Sequence, residues 1–349
     1  MFDVVGVGAN SVDYVYRLPV FPTPDSPTAK LRIARHAISC GGQTATTLCT
    51  CAAMGLRSRY VGATGSDDNG RLMRDELSRR GVDITHARVR DASNAFAVIL
   101  LDDAAGERVV LWDRDSRLDL APDDVDPGVI GDARLLHVDD VDVEAAIRAA
   151  SMARDAGIPV TSDIERVDDR TEALIAAVTI PIFAEHVLEP LTGERDFERA
   201  LRAIQRGRVR PRVRLKPDTT YEGTARLKPN DSPGRERKTQ PAYEQGLVCV
   251  TLGARGAMLL DGDRLHQAPA FPVAVSDTTG AGDVFRGAFI AALLRGDAPG
   301  DILRFANAAA AISCTRPGAI NGVPTLDETL QLLATPSTTK RTKISKDTK

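Results

Sequence analysis

The chain has 349 residues, of which 43% are hydrophobic, and it carries a formal charge of -3 with an isoelectric point near 6.0. This composition supplies material for a large buried core, while the near-neutral charge does not favour nucleic acid as a partner. No apolar run approaches the length of a transmembrane helix, so the sequence predicts no contact with a membrane.

The N-terminus and the cysteines indicate a reducing compartment. The first six residues, Met1 to Gly6, have no basic segment and are typical of a first core strand rather than a signal peptide. The five cysteines are odd in number and lack metal-ligand spacing. We therefore expect a reduced, cytoplasmic protein.

Short apolar runs alternate with helical patterns along most of the chain, which is typical of a parallel sheet covered by helices. The predicted core strands are Val4–Gly8, Arg59–Ala63, Leu135–Val138, Val160–Asp163, Ile180–Ala184 and Leu247–Leu252. The predicted helices are Gly42–Met54, Gly70–Arg79, Val143–Ala156, Arg170–Ala177, Phe197–Ile204, Gly282–Leu294 and Ile302–Ser313. The sequence therefore predicts an α/β fold.

Two segments, 14–38 and 96–113, break this alternation. Their strand patterns are Tyr14–Val20, Lys30–Ile38, Phe96–Asp102 and Arg108–Asp113, with a hairpin loop between the last two. We expect them to form a small antiparallel sheet beside the α/β body.

Residues 206–243 form a further break. The segment holds eleven Lys or Arg and four acids, a net charge of +7, together with five prolines and no apolar periodicity. This composition predicts a disordered surface insertion, with an RNA- or membrane-binding arm as the alternative. The Thr-, Ser- and Lys-rich tail 336–349 has the same character, which leaves residues 1–335 as the folded domain.

The segment Asp277–Asp283, with the sequence Asp-Thr-Thr-Gly-Ala-Gly-Asp, leads directly into an apolar helical pattern. Its Gly-Ala-Gly turn therefore lies at a helix N-terminus, where free N–H groups and the helix dipole attract an anion. The N–H groups of Gly280, Ala281 and Gly282 form a predicted anion hole. Asp283 can then act as the base for a hydroxyl that attacks the bound phosphate, which is a phosphoryl-transfer geometry.

This segment resembles the second signature of the ribokinase-like (PfkB) carbohydrate kinase family. The segment Gly41-Gly42-Gln43-Thr44-Ala45-Thr46 is similar to the family's first signature, with Gln43 and Thr46 in place of asparagines. The resemblance covers roughly residues 2–205 and 244–330. It implies a three-layer α/β/α sandwich with a small β-sheet lid, and transfer of the γ-phosphate of ATP, with Mg²⁺, to a hydroxyl of a small sugar.

The resemblance also implies a sugar site. Asn10 and Asp13 follow the first strand at positions where the family binds sugar hydroxyls, and an Asp accepts two hydroxyl hydrogen bonds at once. Gly41, Gly42 and Gln43 would complete this site, because the glycines let the backbone approach the sugar closely. An ordinary loop acid that caps a turn is the alternative for Asp13.

A nucleotide site is implied by two further segments. Thr251, Gly253 and Gly256 match the family's Thr-x-Gly-x-x-Gly loop after a strand. Asn307, in a helix of small residues, would border the adenine, although packing of an Ala-rich helix explains that helix equally well.

The sequence matches the family's metal-site motifs only in part. Asp277, Thr279 and the loop 314–319 fall where many family members hold K⁺, with a tight turn as the alternative. The family's Asn-x-x-Glu motif, which orders a magnesium-bound water, is replaced here by Ala184 and Val187. Either Glu185 or Glu189 could substitute from a shifted register; otherwise Mg²⁺ depends on the nucleotide phosphates and water.

Two other functions remain open at this point: a nucleoside kinase of the same family, and a sugar- or nucleotide-binding regulator with weakened catalysis. Homodimer formation through the lid is a further expectation. Secondary site candidates at the predicted strand ends are His137, Asp139, Asp140 and Asp163.

Overall fold

The structure, a computed structural model, describes residues 1–105, 107–207 and 246–335. Its strands are β1 (Phe2–Val7), β2 (Ser11–Leu18), β3 (Arg35–Gly41), β4 (Ser58–Val61), β5 (Ala63–Gly65), β6 (Arg88–Arg90), β7 (Phe96–Asp102), β8 (Arg108–Asp113), β9 (Ala133–Val138), β10 (Val160–Ile164), β11 (Ile180–Ala184), β12 (Val248–Thr251), β13 (Ala257–Asp261) and β14 (Arg264–Ala268). Its helices are α1 (Gln43–Ala53), α2 (Asp68–Arg79), α3 (Pro127–Gly131), α4 (Val143–Asp155), α5 (Thr171–Ala177), α6 (Glu185–Thr192), α7 (Phe197–Arg206), α8 (Ala281–Arg295), α9 (Pro299–Ser313), α10 (Ala319–Gly322) and α11 (Leu326–Ala334).

The predicted insertion and tail fall almost wholly outside the described residues. Arg206 still belongs to α7, and Gly207 follows as its C-cap, so the helix continues two residues beyond the predicted end at Ile204. Residues 208–243 and 336–349 are not among those described.

Eight of the described strands form the central sheet, in the order β14-β13-β12-β11-β10-β9-β1-β4. Neighbours from β12 to β4 are parallel, and β13 and β14 add an antiparallel hairpin at one edge. Because the parallel strands point the same way, the loops after β1, β9, β10, β11 and β12 meet at one edge of the sheet, where open α/β sheets bind their ligands.

The central strands separate two hydrophobic cores, which gives the three layers. Val4 and Leu135 pack into a core with α1, α8 and α9, whereas their neighbours Val5 and Leu136 pack into the opposite core with α4 and α7. Successive side chains alternate between the two faces, and both faces are covered, so all six residues of β9 are buried. The predicted ribokinase-like α/β/α sandwich is confirmed. None of the described helices combines the length and apolar character needed to cross a bilayer.

The lid is a second sheet with the order β3-β2-β7-β8. The prediction of a wholly antiparallel sheet is wrong, because β2 and β7 pair in parallel. The chain passes through α1, β4 and α2 between these two strands, so they cannot form a hairpin. The predicted strand 30–38 is also displaced: β3 spans Arg35–Gly41, with Ile38 paired to Tyr14 of β2.

Candidate active site

The start of α8 is formed by a glycine N-cap and by an aspartate whose hydrogen bonds hold two loops together. Gly280 caps the helix with φ 74°, and a Cβ there would lie 2.6 Å from the Cβ of Ala319. The side chain of Asp277 accepts hydrogen bonds from the amides of Thr279 (2.9 Å) and Gly318 (2.8 Å), so it holds the loop before α8 against the loop before α10. The amide of Ala281 donates to the carbonyl of Thr278 at 3.3 Å, and the first-turn amides of Gly282 and Asp283 have no carbonyl partner within the helix, as is usual at a helix N-terminus, where anions bind.

A cavity of about 570 Å³ opens beside these amides. Its lining includes three of the residues predicted for the nucleotide, Thr251, Gly253 and Gly256, as well as Asn307. Ala281 and Gly282 of the predicted anion hole line the same cavity, whose remaining wall includes Phe271, Pro272, Val275, Phe285, Ala310 and Ala311. The structure therefore brings the predicted nucleotide residues and the anion hole together around one space.

Two of these residues shape the cavity through the backbone. A Cβ on Gly256, which has φ 92°, would lie 2.0 Å from the carbonyl oxygen of Ala268. Asn307 donates from Nδ2 to the carbonyls of Ala268 (2.9 Å) and Pro269 (3.2 Å). Asn307 thus fixes the segment after β14 that forms one wall of the cavity.

A second cavity, of about 300 Å³, lies under the lid. Three residues predicted for the sugar, Asn10, Gly42 and Gln43, line it, together with Phe96, Trp112, Arg114, Glu165 and Arg166. We call it the acceptor pocket. Gly42 has φ 96°, and a Cβ there would lie 2.3 Å from the Cα of Asn10, so a side chain would close this corner of the pocket.

Asp13 and Gly41 lie beside the acceptor pocket rather than in its lining. Asp13 is buried within β2 and accepts a hydrogen bond from the Ser11 hydroxyl at 3.0 Å. A Cβ on Gly41 would lie 2.6 Å from Oδ2 of Asp13, so the glycine makes room for the carboxylate. Burial, with repulsion from Asp277 as a smaller cause, raises the pKa of Asp13 to about 6.

The side chain of Asn10 is occupied by the protein. Its Nδ2 donates to the Tyr60 hydroxyl (2.8 Å) and the Ala63 carbonyl (2.7 Å), and its Oδ1 accepts from Asn94 (3.0 Å). The residue reaches the predicted site, but its donors tie the end of β1 to the neighbouring loops.

Asp283 is buried in the first turn of α8 and faces the end of β10. Carboxylate oxygens of Asp283, Asp163 and Glu165 lie within 4.8 Å of one another. Burial, followed by repulsion from Glu165, raises the pKa of Asp283 to about 8, while the Arg286 guanidinium opposes this rise. A carboxyl group with a pKa near neutrality is suited to take a proton from a hydroxyl.

Glu165 connects this cluster to the acceptor pocket, because it belongs both to the pocket lining and to the carboxylate cluster. Its backbone is held by Asp140, whose Oδ2 accepts from the amides of Glu165 (2.7 Å) and Arg166 (2.8 Å). Asp283 therefore lies between the acceptor pocket on one side and, through Gly282, the nucleotide cavity on the other.

Comparison with known proteins shows the family of the chain. Residues 4–212 and 230–326 match the family described as pfkB family carbohydrate kinase. The chain belongs to the pfkB family of carbohydrate kinases. A curated relative, the ATP-dependent ribose-1-phosphate kinase of Halopiger xanaduensis, is 27% identical over 96% of this chain and 99% of its own. The ribokinase of Haemophilus influenzae is 25% identical over 94% of this chain and 97% of its own.

Comparison with solved structures shows that the fold is shared as well. The crystal structure of the Thermotoga maritima ribokinase has a TM-score of 0.73 to this chain, at 22% identity, and covers 95% of this chain and 99% of that one. As a pfkB-family kinase, the protein is a phosphotransferase whose acceptor is a hydroxyl group.

Two secondary site candidates of this pfkB-family kinase, Asp139 and His137, have structural contacts, whereas Asp163 belongs to the carboxylate cluster around Asp283. Asp139 accepts from the amide of Ala9 and the hydroxyl of Thr44, both at 2.7 Å, and so joins β1 to α1. His137 is fully buried, contacts Thr161 Oγ1 through Nδ1 at 3.0 Å, and has a pKa lowered to about 3 by burial and by Arg286. The imidazole is therefore neutral at physiological pH.

The two acids proposed to replace the Asn-x-x-Glu motif, Glu185 and Glu189, lie in different surroundings. Val187 is buried, and the exposed Glu189 pairs with Arg195 at 2.8 Å on the surface of α6. Glu185, the first residue of α6, pairs with Arg255 of the Gly253–Gly256 turn beside the nucleotide cavity. Of the two acids, Glu185 is therefore the one that lies beside the nucleotide cavity.

Sequence reasoning missed two residues that the structure brings into the candidate site. Glu165 follows β10 without a recognisable motif, and Arg286 lies within the apolar pattern of α8. The position of Glu165 just after a core strand was an available signal, because that is the edge where ligands bind. Nothing in the local pattern distinguishes a buried Arg286 from an exposed one.

Proposed function

We propose that the protein transfers the γ-phosphate of ATP to a hydroxyl of a small sugar bound in the acceptor pocket. The observation that supports this most strongly is the position of Asp283 and Gly282 between the two cavities. A phosphoryl group held by the amides at the start of α8 would lie beside the carboxylate that takes the hydroxyl proton.

In this mechanism the chain acts mainly by positioning. The carboxylate of Asp283 orients the sugar hydroxyl and accepts its proton, and the N–H groups of Gly280, Ala281 and Gly282 hold the moving phosphoryl charge. Magnesium, when bound to the phosphates, neutralises negative charge on their oxygens. The lid covers the acceptor pocket and limits the access of water, which would otherwise compete as acceptor.

A monovalent-cation site is a separate part of the proposal. Asp277 and the backbone of loop 314–319 meet at one place, since Cys314 O accepts from the amides of Ser276 and Asp277. Asp277 uses both carboxylate oxygens to hold amides, yet each oxygen can accept a further contact. We propose K⁺ as the occupant, and activation by KCl over choline chloride tests it.

A second copy of the chain is proposed to cover the lid. The edge strand β8 exposes all six of its residues, including Val109, Val110, Leu111 and Trp112. An exposed apolar edge strand is a template for pairing with another strand. Sedimentation of the protein and of the Leu111→Lys variant tests this, with a dimer expected only for the unmodified protein.

The nucleoside-kinase alternative has one observation in its favour. Trp112, which is 72% exposed, and Phe96 line the acceptor pocket, and an aromatic face there could stack on a base. ADP release measured across a panel of sugars, sugar 1-phosphates and nucleosides separates the two functions. Release above background with nucleosides alone would replace the sugar-kinase proposal. If none of the acceptors caused ADP release, a binding protein with weakened catalysis would be favoured.

A further inference from the structure

Arg286 is a fully buried charged residue one helical turn after Asp283. A buried guanidinium is costly to the fold unless opposite charges or hydrogen bonds compensate it. The proposed mechanism gives this residue no task, so its place in the site needs a physical reason.

The guanidinium is directed toward the predicted anion hole. A Cβ built on Gly282 would lie 2.6 Å from Nη1 of Arg286 and 3.8 Å from Oε1 of Glu165. Nη2 lies 2.5 Å from Oδ1 of Asp163, and Nη1 lies 3.7 Å from Oε1 of Glu165. Among the described residues, none of the three guanidinium nitrogens has an aligned hydrogen-bond partner. The guanidinium of Arg286 is therefore held by electrostatic attraction to the neighbouring carboxylates rather than by aligned hydrogen bonds.

The groups around Asp283 are predominantly acidic. Asp163 faces it from β10 and Glu165 from the loop after β10, while Asp139 acts on it from the end of β9. Asp140, which also acts on Asp163, is itself paired with Arg166 at 3.1 Å.

Besides Asp163 on β10, two groups face Arg286 from the sheet, and neither carries a charge at neutral pH. His137 on β9 has a pKa lowered to about 3, chiefly by burial, and burial raises the pKa of Cys249 on β12 to about 12. Burial opposes the charge of Arg286, but Asp163, Glu165 and Asp283 outweigh burial and raise its pKa. The guanidinium therefore stays charged throughout the working pH range.

We propose that Arg286 is a positioning residue for phosphoryl transfer: its guanidinium, held between Gly282, Asp163 and Glu165, compensates the acidic cluster and keeps Asp283 available as the ionised base. The inference rests on the proposed function for its link to catalysis. It also explains the glycine at position 282, because a side chain there would displace the guanidinium.

The test compares the pH dependence of kcat/KM for four proteins: unmodified, Arg286→Met, Glu165→Gln and Arg134→Met. An opposite charge at this range shifts the pKa of an acid by about 1–3 units. The acid limb of Arg286→Met should therefore move to higher pH by about 1–3 units, and that of Glu165→Gln should move to lower pH.

Arg134→Met is the matched control, since Arg134 is also buried and pairs with Asp3 at 3.0 Å at the opposite end of the strands. It should lose thermal stability while its acid limb stays in place. An Arg286→Met profile that coincides with that of the unmodified protein would overturn the proposal, as would a Glu165→Gln limb that moves upward.

Two further measurements keep the test decisive. If Arg286→Met does not fold, the double variant Arg286→Met/Asp163→Asn removes both members of the buried pair. The acid limb of the double variant should still lie at higher pH than that of the unmodified protein, because Glu165 remains uncompensated.

Titration of the Asp283 carboxyl by infrared spectroscopy needs no turnover. The carboxyl band is assigned by its loss in Asp283→Asn. An unmodified protein without activity toward any acceptor would reject the proposed function, whereas the infrared shift in Arg286→Met decides the role of Arg286 independently.

Discussion

Arg286 lies so close to Gly282 that a methyl group on the glycine would come within 2.6 Å of the guanidinium. We therefore predict that Gly282→Ala displaces Arg286 and lowers kcat. Steady-state kinetics with both substrates varied measures this. Gly131→Ala is the control, because nothing lies within 4 Å of a Cβ at that position; equal kinetics for the two variants would contradict the close contact.

Asp283→Asn should abolish transfer while sugar and ATP affinity stay within several-fold, since the amide keeps the shape of the carboxyl but cannot take the proton. Loss of a positioned general base costs about 10²–10⁴ in kcat. Quenched-flow measurement of the first turnover tests this prediction without interference from product release. A variant with near-normal turnover would remove Asp283 from the mechanism.

The raised pKa of Asp283 gives a second, independent prediction on pH. Its pKa lies above the ordinary value, so the carboxyl remains protonated up to about pH 8 and the base form increases with pH. The kcat/KM should accordingly rise with pH and level off above about 8. A profile that is flat from pH 6 to 9 would contradict the assignment.

The same shift has a consequence for stability. Because the folded site favours the protonated carboxyl, the stability that Asp283 contributes is present at low pH and is lost as the pH rises through about 8. Asp283→Asn should escape this loss, so its Tm relative to that of the unmodified protein should be higher at pH 9 than at pH 6. Calorimetry at the two pH values measures the difference, and a constant difference would show that Asp283 does not titrate there.

Much of the α/β body was predictable because its signals are local. The strand Ile180–Ala184 agrees with β11 at both ends, and the helix predicted as Gly282–Leu294 spans Ala281–Arg295, one residue longer at each end. The hairpin of β13 and β14 was missed, although Asp261-Gly262 is a recognisable turn signal and Gly262 has φ 56°. Polar residues in β14 hid the alternation that identifies a strand.

The candidate site was predictable only where backbone chemistry determines it. Glycines at tight turns identify the anion hole and the nucleotide loop, because few other residues fit those conformations. Asn10 was predicted to bind sugar, but its partners Tyr60, Ala63 and Asn94 are 50 to 84 residues away. Contacts at such separations depend on the topology, and no local pattern reports them.

Asp13→Ala tests the sugar side of the site. Loss of a charged acceptor should cost about 1–3 kcal/mol for each hydroxyl left without a partner. We expect the loss in the sugar KM and hardly any in the ATP KM. The control is Asp103→Ala, which removes an exposed lid carboxylate paired with Arg17 at 2.9 Å. Equal weakening for both substrates, or none for either, would show that Asp13 does not bind the acceptor.

The central claim is that Asp283, between the two cavities, acts as the base in the transfer of the γ-phosphate of ATP to a sugar hydroxyl. Its most direct test is the transfer of label from [γ-³²P]ATP to a panel of sugars and nucleosides, with the unmodified protein and Asp283→Asn side by side. We predict that a sugar becomes labelled by the unmodified protein and that Asp283→Asn labels it at least about 100-fold more slowly. Absence of any labelled sugar, or labelling by the variant at a similar rate, would contradict the account.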